Sequence, residues 1–106
     1  MTDINDWPGH SDAVDRLIEA VEGGSATTDL FSVVNMYRAW QAYQYKSLDT
    51  ALLLKEALLP GWIWGRQQNG AMWVASRPHI IRAPASMEPA RALLLAVLKA
   101  YRETRR

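Results

Sequence analysis

The Asn-Gly pair at positions 69 and 70 of this 106-residue chain constrains its fold more than any other local feature. Asn69-Gly70 separates two segments, 62–67 and 71–77, that are rich in tryptophan and aliphatic residues. Asn and Gly both tolerate the positive φ that the two central residues of a type I′ turn need. We therefore predict a β-hairpin with a two-residue turn.

The predicted turn fixes which hairpin side chains share a face, because directly opposed residues lie on the same side of a sheet. With Gln68 opposite Ala71, Arg66 lies opposite Trp73, where a cation–π contact is favourable. The tryptophan and arginine side chains then share one face: Trp62, Trp64, Arg66, Trp73 and Arg77. The other face receives Ile63, Gly65, Met72 and Val74.

This tryptophan–arginine face has two interpretations. If it is exposed, it is typical of a protein interface hot spot or of a platform on which bases stack. If helices cover it, its three tryptophans form part of the core. The face stays open if the opposite, aliphatic face packs on the helices.

A short third strand is favoured at residues 79–83, just after the hairpin. Pro78 and Pro84 flank this segment, and proline lacks the N–H that an interior strand donates. We therefore expect the third strand at an edge of the sheet, with Arg82 near its end.

Three segments carry helical periodicity and capping residues. Ser11, Ser47 and Ser86 are each placed as an N-cap. The first helix should end at Gly23-Gly24, and the second, over 48–59, at Pro60-Gly61. The expected buried stripes are Val14, Leu17, Ile18 and Val21 in the first helix, and Leu94, Val97, Leu98 and Tyr101 in the last.

Residues 30–45 are ambiguous. Val33, Tyr37, Trp40 and Gln44 would share a helical face, whereas Tyr37, Ala39, Gln41 and Tyr43 would share a strand face. The composition favours a helix over roughly 30–42 followed by an irregular or extended exit.

Together these elements predict an α+β fold. A short antiparallel sheet, made of the hairpin and a third edge strand, packs with three to four helices in the order α-α-β-β-(β)-α. Residues 1–10 are expected to form a flexible arm, because Trp7-Pro8-Gly9 interrupts any helix. Residues 11–106 have the size of a single domain.

Composition excludes several classes of protein and site. The chain has no cysteine, which excludes disulfides, thiolate metal sites and a cysteine nucleophile. Its first ten residues are polar and acidic, unlike a signal peptide. The longest apolar stretch, 92–98, is far shorter than the roughly 20 residues of a membrane span. We expect a soluble protein of a reducing cytoplasm, with no membrane partner.

Catalysis is not expected. Gly9-His10-Ser11-Asp12 contains the residue types of a catalytic triad, but sequence adjacency does not provide triad geometry, and Ser11 is explained as a helix cap. The other histidine, His79, lies beside a basic strand. No glycine-rich loop opens a helix, so no phosphate site is indicated and no cofactor or metal is expected.

Charge is divided unevenly along the chain. Residues 1–30 carry a balance of −6, and residues 31–106 carry +7. Such asymmetry is typical of proteins with charged partners or of self-association. The simpler interpretation is that the acidic first helix docks against the basic remainder.

Several motifs resemble one known family. They are SLDTAL at 47–52, EALLPGW at 56–62 with Trp64, PARALLLA at 89–96 and LKA at 98–100. Over about residues 47–101 the chain resembles the phage ABA-sandwich domain, in which a helix ending in a Pro-Gly-Trp-like turn feeds a short antiparallel sheet. A helix opening with Pro-Ala-x-Ala-Leu closes that unit. The resemblance implies a phage-encoded accessory protein of the bacterial cytoplasm and brings no catalytic residues.

Small phage proteins of this kind often inhibit host defence, and the anti-CRISPR proteins are examples. The resemblance therefore implies a non-enzymatic inhibitor that occludes a host protein or ribonucleoprotein complex. The residues expected to bind the partner are Trp64, Arg66, Trp73, Arg77 and Arg82, with Asp12 and Asp15 of the acidic helix. The alternatives are a direct nucleic-acid binder, disfavoured by a net charge of only +1, and a structural or assembly protein that forms a homodimer.

Overall fold

A computed structural model describes residues 11–33 and 37–104 of the chain. The described elements are α1 (Ser11–Gly23), α2 (Thr28–Val33), α3 (Tyr37–Tyr45), α4 (Leu48–Leu58), β1 (Ile63–Arg66), β2 (Met72–Ser76), β3 (His79–Arg82) and α5 (Pro89–Thr104). The three strands form one antiparallel sheet in the order β1-β2-β3. The predicted α+β class and the edge position of the third strand are confirmed. The predicted arm, 1–10, lies outside the described residues.

The described residues of the ambiguous segment belong to α2 and α3, and α3 continues to Tyr45, so the predicted irregular or extended exit after residue 42 is wrong. Phe31 of α2 packs on two aromatic rings of α3, with centroids 5.6 Å from Trp40 and 5.7 Å from Tyr43. Ala39, Ala42 and Tyr43 are buried at helical spacing. The alternative strand face is wrong, because burial follows a period near 3.6 instead of alternating.

α4 begins at Leu48 as predicted and ends one residue before the predicted limit, at Leu58, with Leu59 as its C-cap. The Ser47 side chain accepts a hydrogen bond from the Thr50 N–H at 3.2 Å, which is the expected N-cap geometry. Past the helix end, Gly61 adopts a φ of +84°, which glycine tolerates readily. Leu54 and Leu58 are buried, whereas Leu53 on the other side is 56% exposed.

α5 is the central helix of the fold. It packs against α1, α3 and α4 on its helical sides and against β2 and β3 of the sheet. Every residue from Ala92 to Leu98 is buried, so the predicted single stripe is too narrow. Burial all round is what a helix needs when other elements surround it.

Ser86 does not cap α5, and this prediction is wrong. A Glu88 carboxylate oxygen accepts from the Arg91 N–H at 3.2 Å, and the Glu88 carbonyl accepts the first helical bond from Ala92. Pro89 explains the choice, because proline is favoured at the first helical position and makes the residue before it the N-cap.

The hairpin turn differs from the prediction by one residue. Gln67, not Gln68, lies opposite Ala71: the Gln67 N–H donates to the Ala71 carbonyl at 2.8 Å. The Gly70 N–H donates to the Gln67 carbonyl at 2.9 Å, and Gly70 has a φ of +94°. The loop is therefore a three-residue one, a turn closed by a glycine of positive φ.

No helix among the described residues is long and apolar enough to cross a membrane.

Candidate binding surface on the sheet

The two faces of the sheet have different environments. On the inner face, Met72 and Val74 are buried and Ile81 packs against the core that includes α5. The outer face is defined by two cross-strand rows: Ile63, Ala75 and Ile80 in one, and Gly65, Trp73 and Arg82 in the other. Because α5 covers the inner side, the outer face is left to solvent.

The one-residue difference at the turn redistributes the predicted tryptophan–arginine face. Trp64 lies opposite Val74 and Arg66 opposite Met72, so both point toward the inner side of the sheet. Trp73 lies opposite Gly65 and points outward. The grouping of these side chains on one face is wrong, and the predicted Arg66–Trp73 cation–π contact is not formed.

The remaining predicted residues are dispersed. Trp62 is partly buried and packs against the core, whereas Trp64 is 40% exposed at the edge of the sheet. Arg77 is exposed in the turn between β2 and β3, and Arg82 is exposed at the end of β3. Of the five residues predicted on the sheet, Trp73 and Arg82 share the outer face.

The outer face carries an exposed apolar row. Ile63 is 61% exposed and Ile80 is 52% exposed, with the small side chain of Ala75 between them. Ile63 and Ile80 stand two strand spacings apart, about 10 Å. The row therefore forms a shallow notch over Ala75 with an isoleucine on each side.

Trp73 lies against the main chain of β1. A Cβ built on Gly65 would lie 2.6 Å from Cε2 and 3.0 Å from Nε1 of Trp73, so the indole occupies the space above this glycine. Glycine in a strand interior is typical of such close approaches. The ring extends from β2 toward the free edge of β1.

Exposed arginines lie at the ends of the strands of this sheet. The guanidinium groups of the exposed residues Arg66, Arg77 and Arg82 make no hydrogen bond or ion pair with any described residue. No aspartate or glutamate occurs between residues 57 and 87. The sheet is thus a basic unit with no acidic residue of its own.

The acidic helix is engaged with α5. Asp15 pairs with Arg102 at 2.9 Å, and Glu22 pairs with Lys99 at 3.0 Å. The simpler interpretation of the charge asymmetry therefore holds for these two acids. Asp15 remains partly exposed, and Asp12 lies in the first turn of α1.

A third cation of α5, Arg91, contacts α3 near the start of the helix. The Arg91 guanidinium lies 4.0 Å from the centroid of the Tyr43 ring, and its Nε donates to the Tyr43 carbonyl at 3.0 Å. Arg91 therefore joins α5 to α3.

Sequence reasoning missed Ile63, Ala75 and Ile80 as surface residues. Gly65 carried the signal, because a glycine in a strand predicts that a large neighbour crosses it. Only the three-residue loop puts Trp73 opposite that glycine, and the same register turns Ile63 outward.

Within 11–33 and 37–104, no group of three or more histidine, aspartate or glutamate side chains is placed to hold a metal ion. His79 is exposed at the start of β3, while His10 lies outside the described residues. The outer face offers exposed apolar side chains and positive charge.

Comparisons with known proteins leave the chain without an assigned family. The sequence matches no family model, and searches of curated proteins and of solved structures give no significant match. The phage ABA-sandwich resemblance therefore stays an expectation drawn from the motifs at 47–101.

Proposed function

We propose that this protein is non-enzymatic and acts by binding a partner protein through the outer face of its sheet. The observation that carries the proposal is the exposed row of Ile63, Ala75 and Ile80 beside Trp73. Apolar side chains with an aromatic anchor and an arginine rim are the composition of interface hot spots. Association is favourable when a partner removes an apolar surface of this kind from water.

The specific version is a phage inhibitor of a host defence complex in the bacterial cytoplasm. It rests on the resemblance at 47–101 and on the small, basic and apolar sheet surface. Binding over a working surface of the host complex would exclude that complex's own ligand, so no turnover is required of the inhibitor.

A photo-crosslinking experiment tests the outer face directly. A photoreactive phenylalanine analogue replaces Ile80 in one variant and Leu53 in the other, since their exposures of 52% and 56% are matched. In bacteria producing each variant, we expect a discrete crosslinked protein from position 80 and none of that size from position 53.

A charge introduced into the apolar row provides the second test. Ile80→Glu should abolish recovery of the crosslinked partner when the analogue is placed at Ile63, and Leu53→Glu should leave recovery unchanged. Equal crosslinking from positions 53 and 80, or recovery that survives Ile80→Glu, would contradict the proposal. Unfolding curves of both glutamate variants show that the fold is retained.

Direct nucleic-acid binding is the second candidate, favoured by the three unpaired arginines of a sheet without acids. Arg82→Glu should then weaken retention of a labelled single or double strand, and Arg38→Glu on α3 serves as its exposed control. Binding should also fall steeply with salt, because counterions are released from phosphates on association. Absence of retention at low salt would exclude this function.

A further inference from the structure

β1 has main-chain groups that no strand pairs. In an antiparallel ladder, residues that exchange hydrogen bonds alternate with residues whose N–H and C=O point away from the partner strand. Because Gln67 bonds to Ala71, the β1 residues bonded to β2 are 63 and 65, and the main-chain N–H and C=O groups of Trp64 and Arg66 point away from β2, toward the free edge of the sheet. The Met72 carbonyl supports this assignment, since it accepts from Ala83 on the β3 side.

The main-chain groups of β1 that point toward the free edge have no hydrogen-bond partner among the described residues. Among the described residues, no hydrogen bond outside the sheet ladder involves the main chain of Trp64 or Arg66. β1 packs chiefly against β2, and no helix covers it to the extent that α5 covers β3. Two N–H groups and two carbonyls are thus available on the free side of β1.

The two edges of the sheet are protected to different degrees. β3 lies between Pro78 and Pro84 and against α5, and proline beside an edge strand discourages the pairing of another chain. β1 has no proline within it or directly beside it. A strand that joins this sheet will therefore do so at β1.

Side chains on both faces line the β1 edge. On the outer face, Ile63 and the indole of Trp73, which lies above Gly65, would contact alternate residues of an added strand. On the inner face, the partly exposed Trp64 would contact the intervening ones. Alternate pockets of this kind give specificity to a strand whose affinity comes from main-chain hydrogen bonds.

The chemistry of the occupant follows from charge. Arg66 ends β1, the exposed Arg77 follows β2, and no acid occurs from 57 to 87. A second copy would bring the same cations together over a ladder of four residues, about 13 Å long. A stable dimer needs roughly 800 Å² from each partner, which so short a ladder does not supply.

We infer that the partner contributes an extended segment carrying aspartate or glutamate, which adds to β1 as a fourth strand. The inference rests on the proposed function and specifies how the partner is held. Main-chain bonds to Trp64 and Arg66 align the segment, apolar residues contact Ile63 and the two indoles, and its acids face the arginines.

Displayed peptides test the inference without the natural partner. A random 12-residue library is selected on the folded chain, and the most enriched peptide is synthesised with a fluorescent label. We expect enriched peptides to combine two or more acids with an alternating apolar residue, and their affinity to fall between 50 and 300 mM NaCl.

Two substitutions at one position isolate the main-chain contribution. Trp64→Ala removes the indole and keeps the outward N–H, whereas Trp64→Pro removes both without breaking a β1–β2 bond. Trp64→Pro should weaken peptide binding by roughly a further fivefold or more, because a carbonyl of the peptide loses its donor. Amide exchange provides a readout independent of folding defects: Trp64 and Arg66 should gain protection in the complex, and the amides of Ile80 and Arg82 should not.

The outcomes separate this inference from the proposed function. If the peptides do not bind the Ile80→Glu variant but bind Trp64→Ala and Trp64→Pro with equal affinity, strand addition is overturned and the outer face is retained as the binding surface. Peptides indifferent to Ile80→Glu and to Trp64→Pro would overturn both. Three results would each overturn the acidic occupant. They are neutral or basic peptides that bind at β1, a 20-nucleotide single strand that protects the same amides, and a concentration-dependent dimer through this edge.

Discussion

The contact between Trp73 and Gly65 determines the shape of the candidate surface. With hydrogen at position 65, the indole lies against the strand and extends toward the β1 edge. Any larger residue would lift the ring away from the main chain. The outer face would then lose both its flat aromatic platform and the open space beside Ile63.

Gly65→Ala tests this contact. The added methyl would overlap the Trp73 ring, so we expect a loss of roughly 1–3 kcal/mol in the free energy of unfolding, as for other overpacked sites. Gly23→Ala is the matched control, because nothing but Ser25 Oγ, at 3.9 Å, lies near a Cβ there and its φ is not positive. Urea denaturation measures both, and equal stability of the two variants would contradict the close contact.

Among the elements, α5 contributes most to the core, because it packs against α1, α3, α4 and two strands of the sheet. Leu94 is fully buried at its centre, whereas Leu53 of α4 is exposed. The helix contacts α1, α3, α4 and the sheet, so a packing defect in α5 should weaken all four of these contacts together.

Leu94→Ala should lower the free energy of unfolding by about 2–5 kcal/mol, the range for large-to-small changes in a core. Leu53→Ala should change it by less than about 0.5 kcal/mol, as is usual for exposed positions. Chemical denaturation of the two variants gives the comparison. A difference of only a few tenths between them would mean that α5 is not central to the core.

Local signals predicted the elements better than their pairing. Ser47 and Pro60-Gly61 bound α4 through contacts within a few residues, so its limits were readable from the sequence. The hairpin register depends on whether the loop has two or three residues, and Asn69-Gly70 is compatible with both. The observed register places Trp73 against Gly65 and Trp64 opposite Val74, and the turn motif does not encode these cross-strand contacts.

The same limit applies to the candidate surface. Trp73 and Arg82 were predicted correctly as sheet residues, but the face each one occupies follows from the register. Residues 30–45 were ambiguous for a similar reason, because the contacts of Phe31 with Trp40 and Tyr43, which favour a pair of helices, are not visible in the local sequence pattern.

At the scale of the whole molecule, the two halves of the charge distribution are partly neutralised within the fold. α1 is held to α5 by the Asp15–Arg102 and Glu22–Lys99 pairs. The sheet has no such compensation, because its arginines have no acidic neighbour between 57 and 87. Net charge close to zero therefore conceals a basic region at the sheet.

Asp15→Asn should lower the free energy of unfolding by roughly 0.2–1 kcal/mol, since the pair is partly exposed and screened by water. Glu19→Gln, an exposed acid of the same helix without a described ion partner, should leave it unchanged. Urea curves at low salt and at 0.5 M NaCl should show the Asp15 effect shrinking with salt. A loss above about 3 kcal/mol would instead indicate a fully desolvated pair.

The central position of α5 also has a consequence for biosynthesis. Ribosomes extend the chain from α1 toward α5, so α1, α3, α4, β2 and β3 are all made before the helix that packs against them. Until residues 89–104 leave the exit tunnel, the nascent chain must hold the inner sides of α1, α3, α4 and the sheet uncovered. This interval is when the polypeptide is most open to chaperones and to aggregation.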